Sequence, residues 1–180
     1  MMGNTKDTGM MGNTQGTGIR EDTWQSRNAA QTFAWGVCLG TSLLPGDLVC
    51  LYGDLGTGKT LVAQGIGQAL GIAEPVTSPT FTMIHQYRPT HKPRVHRKLP
   101  VTLVHMDLYR LRDPFEADVI GVWDYFRDEN IVLIEWPEII CGDLPPDRYE
   151  VYLAGNGESS RDMRLVSLGA VRGLALGCQP

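Results

Sequence analysis

The sequence predicts an α/β fold, a three-layer sandwich around a mixed sheet whose late strands are antiparallel. Two patterns indicate this fold class. Strand and helix patterns alternate in the first half of the chain, as they do around parallel strands, whereas strand patterns cluster near its end. With 180 residues, of which 42% are apolar, the chain is long and apolar enough for one domain with a sizeable core.

Hydrophobic spacing predicts the early elements. Apolar residues recur at helical intervals after Ser26, which predicts a first helix with Ser26 as its N-cap and an end near Pro45-Gly46. The short apolar run 48–52 predicts a buried strand. Residues 59–70 predict a second helix, which Gly71 closes.

The later elements are predicted in the same way. Residues 81–87 and 101–106 have strand patterns, and 115–126 has a helical pattern that Gly121 interrupts. The continuous β-branched and leucine run 131–134 predicts a strand that is buried on both faces. Two late strands are expected, at 149–153 and 163–168.

The two ends of the chain differ in composition from its centre. Residues 1–22 are rich in Gly, Thr and Asn and nearly repeat a short pattern, which predicts a disordered tail. The folded domain is expected to span 23–170, and 171–180 is expected to form a C-terminal tail.

Cysteine usage and hydropathy indicate the compartment. The four cysteines lie far apart without a C-x-x-C pair, which favours a reducing compartment over a zinc site or a disulfide scaffold. The sequence has no apolar run of about 18 residues and no basic-then-apolar start, so neither a membrane span nor a secretion signal is predicted. We therefore expect a cytoplasmic protein without membrane contact.

A glycine-rich loop carries the strongest chemical signal. Its residues fit G-x-x-x-x-G-K-[ST] at every fixed position: Gly53, Asp54, Leu55, Gly56, Thr57, Gly58, Lys59 and Thr60. In such a loop the backbone N–H groups surround a phosphate chain, the Lys contacts the β- and γ-phosphate oxygens, and the Thr hydroxyl binds Mg²⁺. The predicted strand before the loop and the helix after it supply the context that this motif requires. The sequence thus predicts a phosphate-binding loop (P-loop) and nucleotide binding.

Two carboxylates could complete this site. Asp107 ends the predicted strand 101–106, and Glu135 ends the strand 131–134. In an α/β sheet, ligands bind beyond the carboxyl ends of the strands, so both acids are candidate partners of Mg²⁺. For Asp107 a plain capping role in the following turn stays open. For Glu135 an ionised carboxylate directly after four apolar residues is costly unless a cation meets it.

The basic segment 88–98 is unusual in composition. No acidic residue occurs from Pro75 to Met106, whereas five basic residues fall within this segment: Arg88, Lys92, Arg94, Arg97 and Lys98. A solvated connecting loop and a patch for an anionic partner, such as RNA or an acidic protein surface, both stay open. All four histidines lie between Pro75 and Asp107, but their spacing without a carboxylate or Cys nearby argues against a metal site.

Four motifs in order give the chain a family resemblance. It resembles the bacterial TsaE (YjeE) family, the small ATPases of tRNA threonylcarbamoyladenosine biosynthesis. The matching pieces are the P-loop, then Thr77-Ser78-Pro79-Thr80-Phe81-Thr82, then His105-Met106-Asp107-Leu108-Tyr109-Arg110-Leu111, and then Glu135-Trp136-Pro137-Glu138. The similarity runs from about Thr32 to Leu168.

The resemblance implies a P-loop NTPase-like fold that binds ATP or ADP with Mg²⁺ and hydrolyses ATP weakly. It also implies association with the TsaB–TsaD pair, whose TsaD member modifies adenosine 37 of tRNA, so that contact with tRNA is indirect. The ATPase is expected to reset that complex between turnovers. Lys59 and the loop amides would hold the phosphates, Thr60 and Glu135 would bind Mg²⁺, and Asp107 would support hydrolysis. Whether Asp107 acts as a base, orients water or binds Mg²⁺ through water stays open.

Further contacts are carried over from the same family. Thr80 lies in a switch-like segment near the γ-phosphate, where an ordinary Pro turn is the alternative. Trp136 is expected at the nucleotide or partner face, or else as a half-buried anchor. The adenine contacts of the family come from the first helix and a late strand. We place them at Asn28, Ala29, Thr32 and Arg161.

Three features depart from the family, and three competing functions stay open. The N-terminal tail has no counterpart, the basic segment is longer than usual, and Thr57 replaces the usual Ala. A small-molecule kinase could use the basic segment as a lid. A non-catalytic module could bind partners according to ATP occupancy alone. The basic segment could also bind tRNA directly. A GTPase is disfavoured because the chain has no N-K-x-D motif.

Direct tRNA binding makes a salt-dependent prediction. If the basic segment binds phosphates, neutralising Arg94, Arg97 and Lys98 reduces the magnitude of the negative slope of log affinity against log salt by about 0.7–0.9 for each phosphate that is no longer neutralised. Filter binding of tRNA across a salt series measures this slope, with Arg20→Gln as the control outside the segment. An unchanged slope would leave the segment as a connecting loop.

Overall fold

The computed structural model describes residues 19–91, 101–155, 159–174 and 176. Within these ranges, strands and helices alternate before two final strands. The strands are β1 (Arg20–Ser26), β2 (Leu48–Tyr52), β3 (Ile84–Tyr87), β4 (Thr102–Asp107), β5 (Asn130–Glu135), β6 (Arg148–Gly155) and β7 (Arg161–Leu168). The helices are α1 (Ala29–Ser42), α2 (Lys59–Leu70) and α3 (Pro114–Val119), with short 3₁₀ helices at Val122–Tyr125 and Pro137–Ile140.

The described strands form one mixed sheet in the order β1-β7-β6-β2-β5-β4-β3. Strand β2 lies at its centre and is parallel to both β5 and β6, and β5 is parallel to β4. The β6–β7 and β7–β1 pairs are antiparallel, as is β3–β4. The predicted mixed sheet with antiparallel late strands is therefore confirmed.

Helices α1 and α2 cover one face of the sheet. Their side chains pack on the inward-facing residues of β2, β5 and β6 in a single apolar cluster. The two helices approach so closely that a Cβ atom built at Gly65 would lie 2.3 Å from the Phe33 carbonyl oxygen. A Cβ at Gly36 would lie 2.5 Å from the Val62 carbonyl oxygen. Glycine on both helices is thus what permits this contact.

The opposite face carries the third layer. Helix α3 and the two 3₁₀ helices cover β2, β5 and β4 there, around a second apolar cluster that includes Val104, Met106, Val132 and Ile134. Because both faces of these central strands are covered, their sequences are almost continuously apolar. The three-layer prediction is confirmed.

Strand β1 was missed by the sequence analysis. Its sequence REDTWQS is mostly exposed and polar, since β1 is an edge strand that pairs with β7 alone. Hydrophobic alternation therefore could not reveal it. The predicted tail 1–22 is wrong at Arg20–Asp22, which belong to this strand, and residues 1–18 lie outside the described ranges.

The predicted N-cap of the first helix is also wrong. Asn28 caps α1, because its side chain accepts a hydrogen bond of 2.9 Å from the Gln31 backbone N–H. Ser26 ends β1 instead, and its hydroxyl lies 2.8 Å from that of Thr32. Two short polar residues of similar capping ability precede the same helical pattern, so spacing alone does not select between them.

One further boundary differs from the predictions, and one predicted interruption is confirmed. The strand expected at 81–87 begins only at Ile84, after a turn at 80–82. The interruption at Gly121 is confirmed, because this glycine has a φ of 72° between α3 and the first 3₁₀ helix.

The described part of the predicted C-terminal tail 171–180 packs against the domain. Leu174 is buried in the cluster under α1 and α2. Arg172 forms a two-point contact with the Asp47 carboxylate, at 3.0 and 2.6 Å. The folded domain thus extends past residue 170.

The cysteines in the described part of the chain are not all free. Cys50 and Cys141 are free, whereas Cys38 is disulfide-bonded, which the scattered thiols did not predict. Among the described residues, no group of three or more His, Cys, Asp or Glu side chains could hold a metal ion, and no helix could span a membrane. Most of the basic segment, 92–98, lies outside the described ranges.

The close contact of the two helices can be tested at Gly65. We expect Gly65→Ala to lower the free energy of unfolding by about 1–3 kcal/mol, because the added methyl meets backbone atoms that cannot rotate away. Helix propensity alone would favour Ala by about 1 kcal/mol. Urea unfolding measures the change, and Gly142→Ala, where a Cβ meets nothing within 4 Å, is the matched control. Equal stability of the two variants would contradict the close contact.

Candidate nucleotide-binding site

The glycine loop connects β2 to α2 at the carboxyl edge of the sheet. Gly53 and Gly58 have φ angles of 139° and 103°, a region that favours glycine. A Cβ at Gly53 would also lie 2.3 Å from the Leu153 carbonyl oxygen. Gly58 is the N-cap residue of α2 and offers no side-chain cap, so the first N–H groups of the helix remain for an anion. The predicted strand-loop-helix context is present.

Lys59 lies at the centre of this loop. Its Nζ donates hydrogen bonds to the carbonyl oxygens of Gly53, at 2.5 Å, and Asp54, at 3.0 Å. The same Nζ lies 3.9 Å from the centre of the Trp136 ring. Burial lowers the pKa of Lys59, and nearby carboxylates, Glu135 foremost, oppose this shift. A cation in this position has few ligands besides loop carbonyls and an aromatic face, so a phosphate would complete its coordination.

The two candidate acids lie side by side. Asp107 ends β4 and Glu135 ends β5, and the two residues are direct partners in the parallel register. Both are almost fully buried, at 2% and 3% exposure. The hydroxyl of Thr60 donates to Oε1 of Glu135 over 3.2 Å. The structure therefore brings the loop Thr and both predicted acids together.

Hydroxyls from the segment before β3 bind Asp107. Ser78 and Thr80 each donate to Oδ2 of Asp107 over 2.6 Å, and the Tyr109 backbone N–H donates to Oδ1 over 3.1 Å. The last contact is the capping role that the sequence analysis left open for Asp107. The Met83 carbonyl accepts from the Asp107 N–H at 2.9 Å, and this joins the segment to β4. Thr80 is thus joined directly to an acid of the site.

Trp136 follows Glu135 in a strained conformation. Its φ is 57°, and Met83 at 62° is the only other non-glycine residue with positive φ among those described. Strained backbone of this kind concentrates at functional sites, because the surrounding structure must hold it. The half-buried indole also packs on Tyr109, with ring centres 4.9 Å apart. Trp136 is therefore both an anchored aromatic and a wall of the site.

One cavity of about 470 Å³ contains these groups. Its lining residues are Leu55, Gly56, Gly58, Lys59, Thr60, Leu61, Ser78, Thr80, Asp107, Tyr109, Glu135, Trp136 and Arg161. The sequence had placed Ser78 with Thr80 in the switch-like segment 78–80, but no role had been assigned to Leu61 or Tyr109. Tyr109 lies two residues after Asp107, and this proximity was the available signal.

The four predicted adenine contacts are not all in this cavity. Arg161 lines it and donates from Nε to the Thr57 carbonyl oxygen over 3.0 Å. Asn28 and Ala29 are exposed at the start of α1, and Thr32 is buried beneath them. These three residues do not line the cavity, and their contact with adenine stays a prediction.

A buried histidine was considered only as a metal ligand in the sequence analysis. His105 has 0% exposure, and its Nε2 lies 2.9 Å from Oε1 of Glu135. Its Nδ1 has no hydrogen-bond partner among the described residues. The pairing of β4 with β5 creates this contact, and spacing along the sequence could not have revealed it.

Comparisons with known proteins agree with this geometry. The model of the family described as threonylcarbamoyl adenosine biosynthesis protein TsaE matches residues 26–163. The chain is 34% identical over 151 residues to the tRNA threonylcarbamoyladenosine biosynthesis protein TsaE of Bacillus subtilis, covering 84% of this chain and 89% of that one. The protein of the same name from Treponema pallidum is 35% identical over 138 residues, covering 77% and 95%.

A solved structure shares the fold. The crystal structure of Bacillus subtilis YdiB superposes with a TM-score of 0.67 and 28% identity, covering 84% of this chain and 88% of that one. The matched range 26–163 begins at the end of β1 and includes the P-loop, Asp107 and Glu135. Fold, site and sequence similarity thus agree, and the chain belongs to the TsaE family.

Proposed function

We propose that this protein binds ATP with Mg²⁺ and hydrolyses it slowly as an accessory of tRNA threonylcarbamoyladenosine biosynthesis, together with the TsaB–TsaD pair. One observation carries the proposal. A single cavity joins the P-loop lysine, the loop threonine and two buried carboxylates from adjacent strands. Membership of the TsaE family supplies the biological process.

The donor set fits Mg²⁺. The Thr60 hydroxyl and the Glu135 carboxylate are hard oxygen donors 3.2 Å apart, and Mg²⁺ prefers such ligands. When bound, the cation would supply charge neutralisation at the phosphoryl oxygens. Lys59 would then exchange its carbonyl contacts for phosphate oxygens, and the uncapped start of α2 would bind them through backbone N–H groups.

Slow hydrolysis is supported by the contacts of Asp107. Two hydroxyls occupy its Oδ2 and a backbone N–H binds its Oδ1. A carboxylate with these donors has little capacity left to accept a proton or hydrogen bond from an attacking water. Release of Oδ2 by Ser78 or Thr80 would raise this capacity, and a γ-phosphate that takes over the Thr80 hydroxyl would cause such a release.

Exposed apolar residues in the cavity lining, and one next to it in the sequence, support a protein partner. Leu55 and Phe81 are 85% and 84% exposed, and Tyr109 is 58% exposed. Phe81 directly follows Thr80, and Tyr109 lies two residues after Asp107. Apolar groups of this kind are typical of surfaces that a protein covers, and an RNA backbone offers them no matching contact. A partner bound here would contact the segments that hold Asp107.

Hydrolysis should depend on the loop lysine and the β5 acid. We expect Lys59→Ala and Glu135→Ala to abolish phosphate release from ATP, because they remove the phosphate ligand and the Mg²⁺ ligand. Phosphate release by the purified proteins measures this, with Glu129→Ala, an exposed acid near the opposite end of β5, as the control. Retained hydrolysis in either site variant would contradict the proposal.

Partners should change that rate. We expect TsaB–TsaD with tRNA to alter Lys59-dependent phosphate release, and Phe81→Ala to weaken this effect without changing the basal rate. Phe115→Ala is the matched control, because Phe115 is 68% exposed but lies on α3, whereas Phe81 directly follows the cavity residue Thr80.

Product analysis, tRNA modification and phosphate release together separate the competing functions. Phosphate on a small molecule would indicate a kinase. Modification cycles that continue equally well with a non-hydrolysable ATP analogue would indicate a module that needs only ATP occupancy. An unchanged rate with partners present would contradict the accessory role.

A further inference from the structure

We propose that His105 is a positioning residue of this site, whose Nε2–H fixes the Glu135 carboxylate in the orientation that binds Mg²⁺. The inference rests on the proposed function, because it takes Glu135 as a Mg²⁺ ligand. Nε2 of His105 lies 2.9 Å from Oε1 of Glu135, and both side chains are buried. The contact joins adjacent strands, since His105 lies on β4 and Glu135 on β5.

The surroundings of the ring select its tautomer. Nδ1 of His105 is buried without a partner in the described part of the chain. A proton on Nδ1 would leave a buried donor unpaired and would direct the Nε2 lone pair at the carboxylate. A proton on Nε2 pairs that donor with Oε1 and leaves only an acceptor without a partner. His105 therefore donates its Nε2–H to Glu135.

The contacts distinguish the two oxygens of Glu135. Oε1 accepts from His105 and from the Thr60 hydroxyl, whereas no described residue donates to Oε2. Glu135 also lines the nucleotide cavity. One oxygen is thus held by the protein, and the other is left for a cation.

His105 is the hydrogen-bond partner of Glu135 that would remain when Mg²⁺ binds. Thr60 is itself an expected Mg²⁺ ligand, so its hydroxyl would turn toward the cation. The imidazole is fixed in the sheet, where its neighbours on the same face include the apolar Leu103 and Leu133 as well as His85 of β3. A polar ring in such a place costs free energy unless its hydrogen bond is kept, which makes the pairing with Glu135 the reason for its presence. Removal of a partner that orients a metal ligand typically costs 10–100-fold in metal affinity.

Two variants with amide side chains form a matched test. In His105→Gln the amide N–H₂ falls near the position of Nε2 and can donate to Glu135. In His105→Asn it falls near Nδ1 and cannot. Calorimetric titration of ATP with Mg²⁺ and then with EDTA gives the increase in affinity that depends on Mg²⁺. We expect His105→Gln to keep this increase and His105→Asn to reduce it by about tenfold or more, with unchanged binding in EDTA.

The outcomes separate the inference from the proposed function. Equal Mg²⁺-dependent increases in the two variants, whether full or reduced, would overturn the positioning role. A wild-type affinity for ATP that does not respond to Mg²⁺ would contradict the proposed Mg²⁺ site itself.

The tautomer of His105 can also be measured in the wild-type protein, so this test does not depend on the folding of either variant. Nitrogen NMR of the assigned His105 ring should show the proton on Nε2, coupled across the hydrogen bond to Glu135. A proton found on Nδ1 would overturn the inference.

Discussion

The parallel pairing of β2, β5 and β4 is the constraint on which the site depends. Parallel strands end at the same edge of a sheet, so the P-loop after β2, Glu135 at the end of β5 and Asp107 at the end of β4 meet there. This pairing requires apolar cover on both faces, which α1 and α2 provide on one side and α3 with the 3₁₀ helices on the other. The charged groups are therefore next to one another because the strands below them are buried.

That arrangement places ionisable groups where water is scarce. Lys59, Asp107 and Glu135 are each at most 5% exposed, and an unpaired charge at such a depth is costly. Each is met by short-range partners: loop carbonyls and an indole for Lys59, hydroxyls for Asp107, and an imidazole with a hydroxyl for Glu135. The site is thus organised around its charged groups by the protein's own contacts.

Sequence patterns were sufficient for the central strands, the loop and both acids, because burial on two faces and the loop chemistry leave strong local signals. They were not sufficient where pairing with another strand or contact with another side chain determines the local structure. Strand β1 exists because β7 offers it an edge, and its polar sequence carries no period of its own. The role of His105 depends on the register between β4 and β5, and Asn28 displaces Ser26 as the cap because Ser26 bonds to Thr32.

The two walls of the cavity are held in place by different kinds of contact. Helix α2 starts with Lys59 and Thr60, and it rests backbone to backbone on α1, so any shift of it must also displace α1. The opposite wall is built from a turn before β3, a loop after β4 and a strained tryptophan, all joined by side-chain contacts. The first wall is thus held by backbone contacts with α1, whereas side-chain rotation alone can rearrange the second. We therefore expect a partner that responds to the occupant of the site to contact the second wall.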